Sequence, residues 1–227
     1  MALPANKLIT INDRGARAAT TFGSLSQGGA NMVFIKKLTA SSSGDLSFVD
    51  GADSVVLDDT YKEYLFTFNN IHPSAEARLT FQANVAGGSG YNETITSTAF
   101  QALHWEDASA AQIGYAGDND QAQGTAFQII SSVGGIQNDA SLSGELTLYN
   151  PSSTTFVKHF MARTIEMYED ASPGAIELHT AGYFNLTAAI DEIQFKMDSG
   201  NIDAGDICLY GILFYQNLKK VMPYQTI

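Results

Sequence analysis

Histidines, the cysteine and paired carboxylates are where catalysis or metal binding would have to begin. Four histidines, His72, His104, His159 and His179, are spread over 227 residues. There is no HExxH and no other paired spacing that would aim two ligands at one ion. The single cysteine, Cys208, excludes an internal disulfide, and its apolar surroundings suit a buried inert thiol. Neither a GxSxG elbow nor a GxxxxGK[ST] loop occurs. The GGSG at Gly87 to Gly90 lacks the lysine and following helix that hold a phosphate. No catalytic, cofactor-binding or metal residue is therefore expected, and the chain reads as non-enzymatic.

Carboxylates invite a glycosidase reading. Glu106-Asp107, Glu169-Asp170 and Asp191-Glu192 are adjacent pairs. Neighbours on a strand point to opposite faces, so such a pair does not flank one glycosidic bond. Asp198, Asn201, Asp203 and Asp206 set oxygens at i, i+3, i+5 and i+8, a loop that invites calcium but lacks EF-hand spacing. Trp105, the lone tryptophan, stands beside Glu106 and Asp107 and is the candidate for stacking on a host-surface glycan. The acceptor patterns Asn92-Glu93-Thr94 and Asn185-Leu186-Thr187 count for little without a secretory signal.

The elements that must carry these residues are strands. Ile193, Phe195 and Met197 alternate with Gln194 and Lys196, the pattern of a strand with one face buried. Ser199 to Asp206 follows as SGNIDAGD, crowded with turn formers, and Ile207 to Ile212 is apolar on both faces. This reads as a β-hairpin with a long acidic loop. Tyr64, Phe66 and Phe68, then Ala77, Leu79, Phe81 and Ala83, form a second alternating pair. His72-Pro73-Ser74 is expected to end its first strand, and IHPSAE to join a second hairpin. Ile113 to Ala126 reads as mostly loop. Phe66, Phe68, Phe81, Ile193, Phe195 and Leu209 are the predicted core. Turn signals about every ten residues, with no amphipathic helix, predict an all-β fold: an antiparallel β-sandwich, jelly-roll-like, over residues 31–227.

Met1 to Ala30 breaks this pattern. It is small, polar and Gly-rich, and reads as an extended N-terminal arm. Charge divides similarly. Through Ala40, Lys7, Arg14, Arg17, Lys36 and Lys37 face Asp13 alone, whereas the whole chain carries a formal −12. A body this acidic repels phosphate backbones, so no nucleic acid is expected as a partner. Lys7, Leu8, Ile9, Ile11, Arg14 and Arg17 are the candidate docking residues, adding a strand to a partner's sheet edge with cation contacts nearby. No apolar run is long enough to span a membrane, and the N-terminus lacks a signal peptide's apolar core. Hydrophobic content of 44% with 16% charged residues fits a globular body rather than a disordered one.

Several phrases resemble a known family. LTASSS (Leu38 to Ser43), DDTYKEYLF (Asp58 to Phe66), NIHPS (Asn70 to Ser74), NPSSTTFVKHF (Asn150 to Phe160), GYFN (Gly182 to Asn185), SGNIDAG (Ser199 to Gly205) and LYGI (Leu209 to Ile212) look like virion structural proteins of marine tailed bacteriophages, cyanophages included. The resemblance spans about Asn31 to Ile212. It implies a virion location, synthesis in the host cytoplasm, other virion proteins as partners and a homo-oligomer, with a trimer as the expectation. The role it implies is tail-associated, as a tail fibre or host-contact module. Capsid decoration, a head fibre or a carbohydrate-binding module for host glycans are the alternatives. The family offers no catalytic residues to carry over.

Overall fold

The computed structural model describes residues 32–168 and 173–213. They hold thirteen strands and no helix. In chain order these are β1 (Met32–Thr39), β2 (Leu46–Val49), β3 (Glu63–Pro73), β4 (Leu79–Val85), β5 (Ile95–Trp105), β6 (Ala111–Tyr115), β7 (Ala122–Gly124), β8 (Gln128–Ile129), β9 (Leu142–Tyr149), β10 (Lys158–Tyr168), β11 (Gly174–Phe184), β12 (Ile190–Met197) and β13 (Ile202–Ile212). One antiparallel sheet runs β1-β13-β3-β9-β10-β11-β5-β6, with β7 also on β5. The other runs β2-β12-β4-β8. The protein is an all-β sandwich, as the alternation predicts. The arm expected over Met1–Ala30, and with it Lys7, Leu8, Ile9, Ile11, Arg14 and Arg17, lies outside the described residues.

The core forms where the two sheets face each other. Tyr64, Phe66 and Phe68 of β3 meet Phe48 of β2, Phe81 of β4 and Phe195 of β12, all at most 1% exposed. Phe160 and Phe184 extend the same layer, Phe81 lying edge-on to both rings at 5.0 and 5.9 Å. All six predicted core residues are buried.

Both expected hairpins are corners instead. β12 pairs with β2 and β4, whereas β13 pairs with β1 and β3, in the other sheet. β3 and β4 likewise belong to opposite sheets. Alternation reports which face of a strand is buried, not which neighbour takes its hydrogen bonds. A hairpin and a corner therefore share one sequence signature. The acidic loop is also shorter than expected, because β13 begins at Ile202 and passes through Asp203 to Asp206 with two register shifts. β3 runs on through His72 and Pro73. As the last residue of the strand, Pro73 costs no interior ladder bond. The stretch expected to be mostly loop, Ile113 to Ala126, holds the end of β6 and all of β7.

The irregular start of β13 depends on one glycine. Gly205 has φ +112°, and a Cβ there would lie 2.5 Å from the Asn70 carbonyl oxygen and 2.7 Å from Ile71 Cα. Asn70 itself sits at φ 50° in the bulge of β3 between Phe68 and Ile71. Gly205→Ala is expected to destabilise the fold by roughly 1–3 kcal/mol, combining positive-φ strain with a backbone clash. Chemical denaturation checks this, and an unchanged midpoint would contradict the close approach.

Candidate contact face

The small sheet covers only the inner face of the large one. The register of the large sheet sets side chains on its outer face into rows that cross the strands. One row is Phe34, Tyr210, Leu65, Thr147, Met161, Ala181 and Thr98, from β1 to β5. Phe34 and Met161 in it are each 57% exposed. A second row passes Cys208, Thr67, Glu145, Arg163, His179, Phe100 and Tyr115. There His179 stacks on Phe100 at 4.7 Å and 6° and bonds Glu177, which also pairs with Arg163. That pairing holds the Glu177 carboxyl below its ordinary range, the Arg163 hydrogen bond being the main cause. Ile113 and Tyr115 on edge strand β6 are 74% and 65% exposed.

A third row holds Tyr149, His159 and Tyr183. His159 is opposite Tyr183, and Tyr149 follows the Leu148–Phe160 pair on β9. The His159 and Tyr183 rings stand 6.1 Å apart at 59°. Beside this ladder the surface dips over the small residue Ala181 into an open trough of about 750 Å³, with Met161, Thr96 and Thr98 also lining it. Beneath the dip, Gly182 lets β11 lie close to β5 and to the core. A Cβ there would meet the Thr96 carbonyl oxygen at 2.6 Å and Phe160 Cζ at 2.7 Å.

Trp105 lies elsewhere. It ends β5, half-buried, on the core side of the sheet, with its ring 5.6 Å from Tyr168 and against Gly174. The structure therefore separates the tryptophan from the outer-face rings. Each oxygen-bearing residue of the acidic loop has a protein partner. Arg78 binds Asp198 through Nε and its backbone N–H, both at 2.8 Å. The Asn201 amide donates to the Ser42 carbonyl, and Asp203 accepts from the Ser42 hydroxyl. Asp206 accepts from Thr39 and Lys37. Among the described residues no three His, Cys, Asp or Glu side chains gather to hold a metal.

One carboxyl is sealed inside. Glu166 on β10 faces inward, 3% exposed, and neither side-chain oxygen reaches a hydrogen-bond partner or solvent. Burial pushes its pKa up to about 8, against a smaller lowering effect of Ser132. Glu106 borders the same depression, of about 340 Å³. Two carboxyls beside one depression invite an acid–base reading. The Glu166 oxygens are closed off, however, so in this form they meet no substrate. Glu169 and Asp170 lie outside the described residues.

Tyr149, His159 and Tyr183 stand outside the expected site residues. Their only signal was outward alternation in YNPSS, VKHFMAR and GYFN, shared with every solvated strand position. Comparison with family models, with curated proteins and with solved structures finds no match to this chain.

Proposed function

We propose that this chain is a non-enzymatic virion surface module of a tailed bacteriophage, tail-associated and held by its N-terminal arm, with the outer face of the large sheet as its contact surface. The observation that supports this reading is the outer-face row from Phe34 to Thr98. It crosses seven strands and sets the exposed Phe34 and Met161 and the half-buried Leu65, Tyr210 and Ala181 on one face of an acidic protein. Apolar surface of this extent marks interaction sites more often than idle surface. The phrase resemblance supports the virion setting. A jelly-roll connectivity, a trimer and synthesis without a signal peptide belong to the same reading.

Capsid decoration or a head fibre is the second reading, since a sequence without heptads or fibre repeats fits a decoration or short knob as well as a fibre tip. Copy number in purified virions, with immunogold labelling, separates the two. Deleting residues 1–30 is expected to leave the melting temperature nearly unchanged and to abolish incorporation into virions. Normal incorporation of the truncated chain would move the docking surface to the body. Light scattering that shows a monomer at all concentrations would remove the trimer.

A further inference from the structure

The ladder Tyr149, His159 and Tyr183 occupies consecutive strands at one level of the sheet. Strands lie about 4.8 Å apart, so the three rings form a platform roughly 10 Å long. The trough beside it, about 750 Å³, falls within the size range of ligand sites. Its floor is small and apolar at Ala181. Its lining is mostly apolar, with few polar groups: among the described residues the Tyr183 hydroxyl, the Thr98 hydroxyl and the His159 ring nitrogens make no hydrogen bond. The Tyr149 hydroxyl reaches only the Met161 sulfur, at 3.7 Å.

Charge narrows the occupant. No carboxylate and no lysine or arginine lines the trough, in a chain with a formal −12. The net charge repels polyanions such as nucleic acid. A cation would find one carboxylate nearby, Glu63 opposite Tyr149 on β3, and no cluster to coordinate it. What remains is a neutral ligand with an apolar face and a hydroxyl rim. A pyranose has this form: C–H bonds on its flat faces and hydroxyls around its edge. Aromatic side chains with polar tips suit such a ligand, covering the face with the ring and the rim with the hydroxyl.

We infer that the trough along Tyr149, His159 and Tyr183 binds a neutral pyranose glycan, the rings packing on sugar faces and Thr98 and the tyrosine hydroxyls taking the rim. This deepens the reading of the outer face as a contact surface and does not depend on the virion setting. Trp105, on the other side of the sheet, takes no part.

The test uses the full chain in affinity gel electrophoresis against starch, mannan, agarose and hydroxyethylcellulose, with alginate as an acidic arm. Retardation by at least one neutral polymer is expected. Tyr183→Ala and His159→Ala should each weaken it by roughly tenfold or more. Tyr183→Phe should keep most of the binding, and Trp105→Ala should leave it unchanged. His159 is exposed, so its variant stays informative if Tyr183→Ala fails to fold. No retardation by any neutral polymer, or retardation by alginate alone, overturns the proposal. So does binding lost in Trp105→Ala and kept in Tyr183→Ala. Light scattering in which Tyr183→Ala or His159→Ala converts an oligomer to a monomer, with no glycan bound, would assign the trough to contact between copies. Absence of the chain from virions would sink the virion reading and leave these binding results standing.

Discussion

Phe195→Ala is expected to lower stability by about 3–5 kcal/mol, the range for removing a fully enclosed phenylalanine ring. Phe195 is 0% exposed and sits among four other rings. Phe66 and Phe68 approach it at 5.3 Å, and Phe48 and Phe81 at 6.2 Å. These partners come from β2, β3 and β4, so the ring joins both sheets. A cavity there closes poorly, because each neighbour is fixed by its own ladder. Urea or guanidinium unfolding at neutral pH reads the change. A loss below about 1 kcal/mol would mean that the site collapses around the missing ring. Phe195→Leu, which keeps most of the volume, is expected to cost clearly less.

The second large effect is a pH dependence set by Glu166. The ordinary glutamate pKa is 4.5, and burial raises this one to about 8. Between those values the folded chain keeps a proton that the unfolded chain has released. Stability from this group is therefore fully present below about pH 4.5 and is lost as pH rises toward about 8. One pH unit of such linkage is worth about 1.4 kcal/mol, so the loss across the window is on the order of a few kcal/mol. Glu166→Gln stays neutral and keeps the shape, and it should flatten this part of the profile. The difference between wild type and Glu166→Gln, measured by denaturant unfolding at pH 5 and pH 8.5, isolates the group from other carboxyls. Asp191, for one, is also raised, chiefly by burial. A difference that does not change between the two pH values would show that the Glu166 carboxyl is hydrated or partnered in solution.

Strand faces were legible because side-chain alternation is a local property. Tyr64, Phe66 and Phe68 declare a buried face whatever lies opposite, and every predicted core residue is buried. Sheet membership was not legible. The run from Ile190 to Ile212 has the residues of a hairpin, yet its two strands bond to β2 and β4 on one side and to β1 and β3 on the other. The polar face of β4 shows a related limit. Thr80, Gln82 and Asn84 alternate as solvated residues do, but all three are buried. Gln82 Nε2 donates to the carbonyls of Glu93, Thr125 and Ala126 at 3.0, 3.3 and 3.1 Å, so distant loops cover that face. A polar side chain with such partners is buried at little net cost, and periodicity does not anticipate those partners.

The candidate site divides in the same way. Composition and motifs were readable from the residues alone: the chain is acidic, has one cysteine and carries no catalytic motif, which constrains the ligand classes available to it. The trough needed the register of three strands. Tyr149, His159 and Tyr183 are separated in sequence by 10 and then 24 positions, and only pairing brings them to one level. A shift of one residue in either pairing would turn part of that row to the other face. Alternation sets the outward direction of each ring one strand at a time, whereas their meeting depends on hydrogen bonds between strands distant in the chain, which local pattern does not specify.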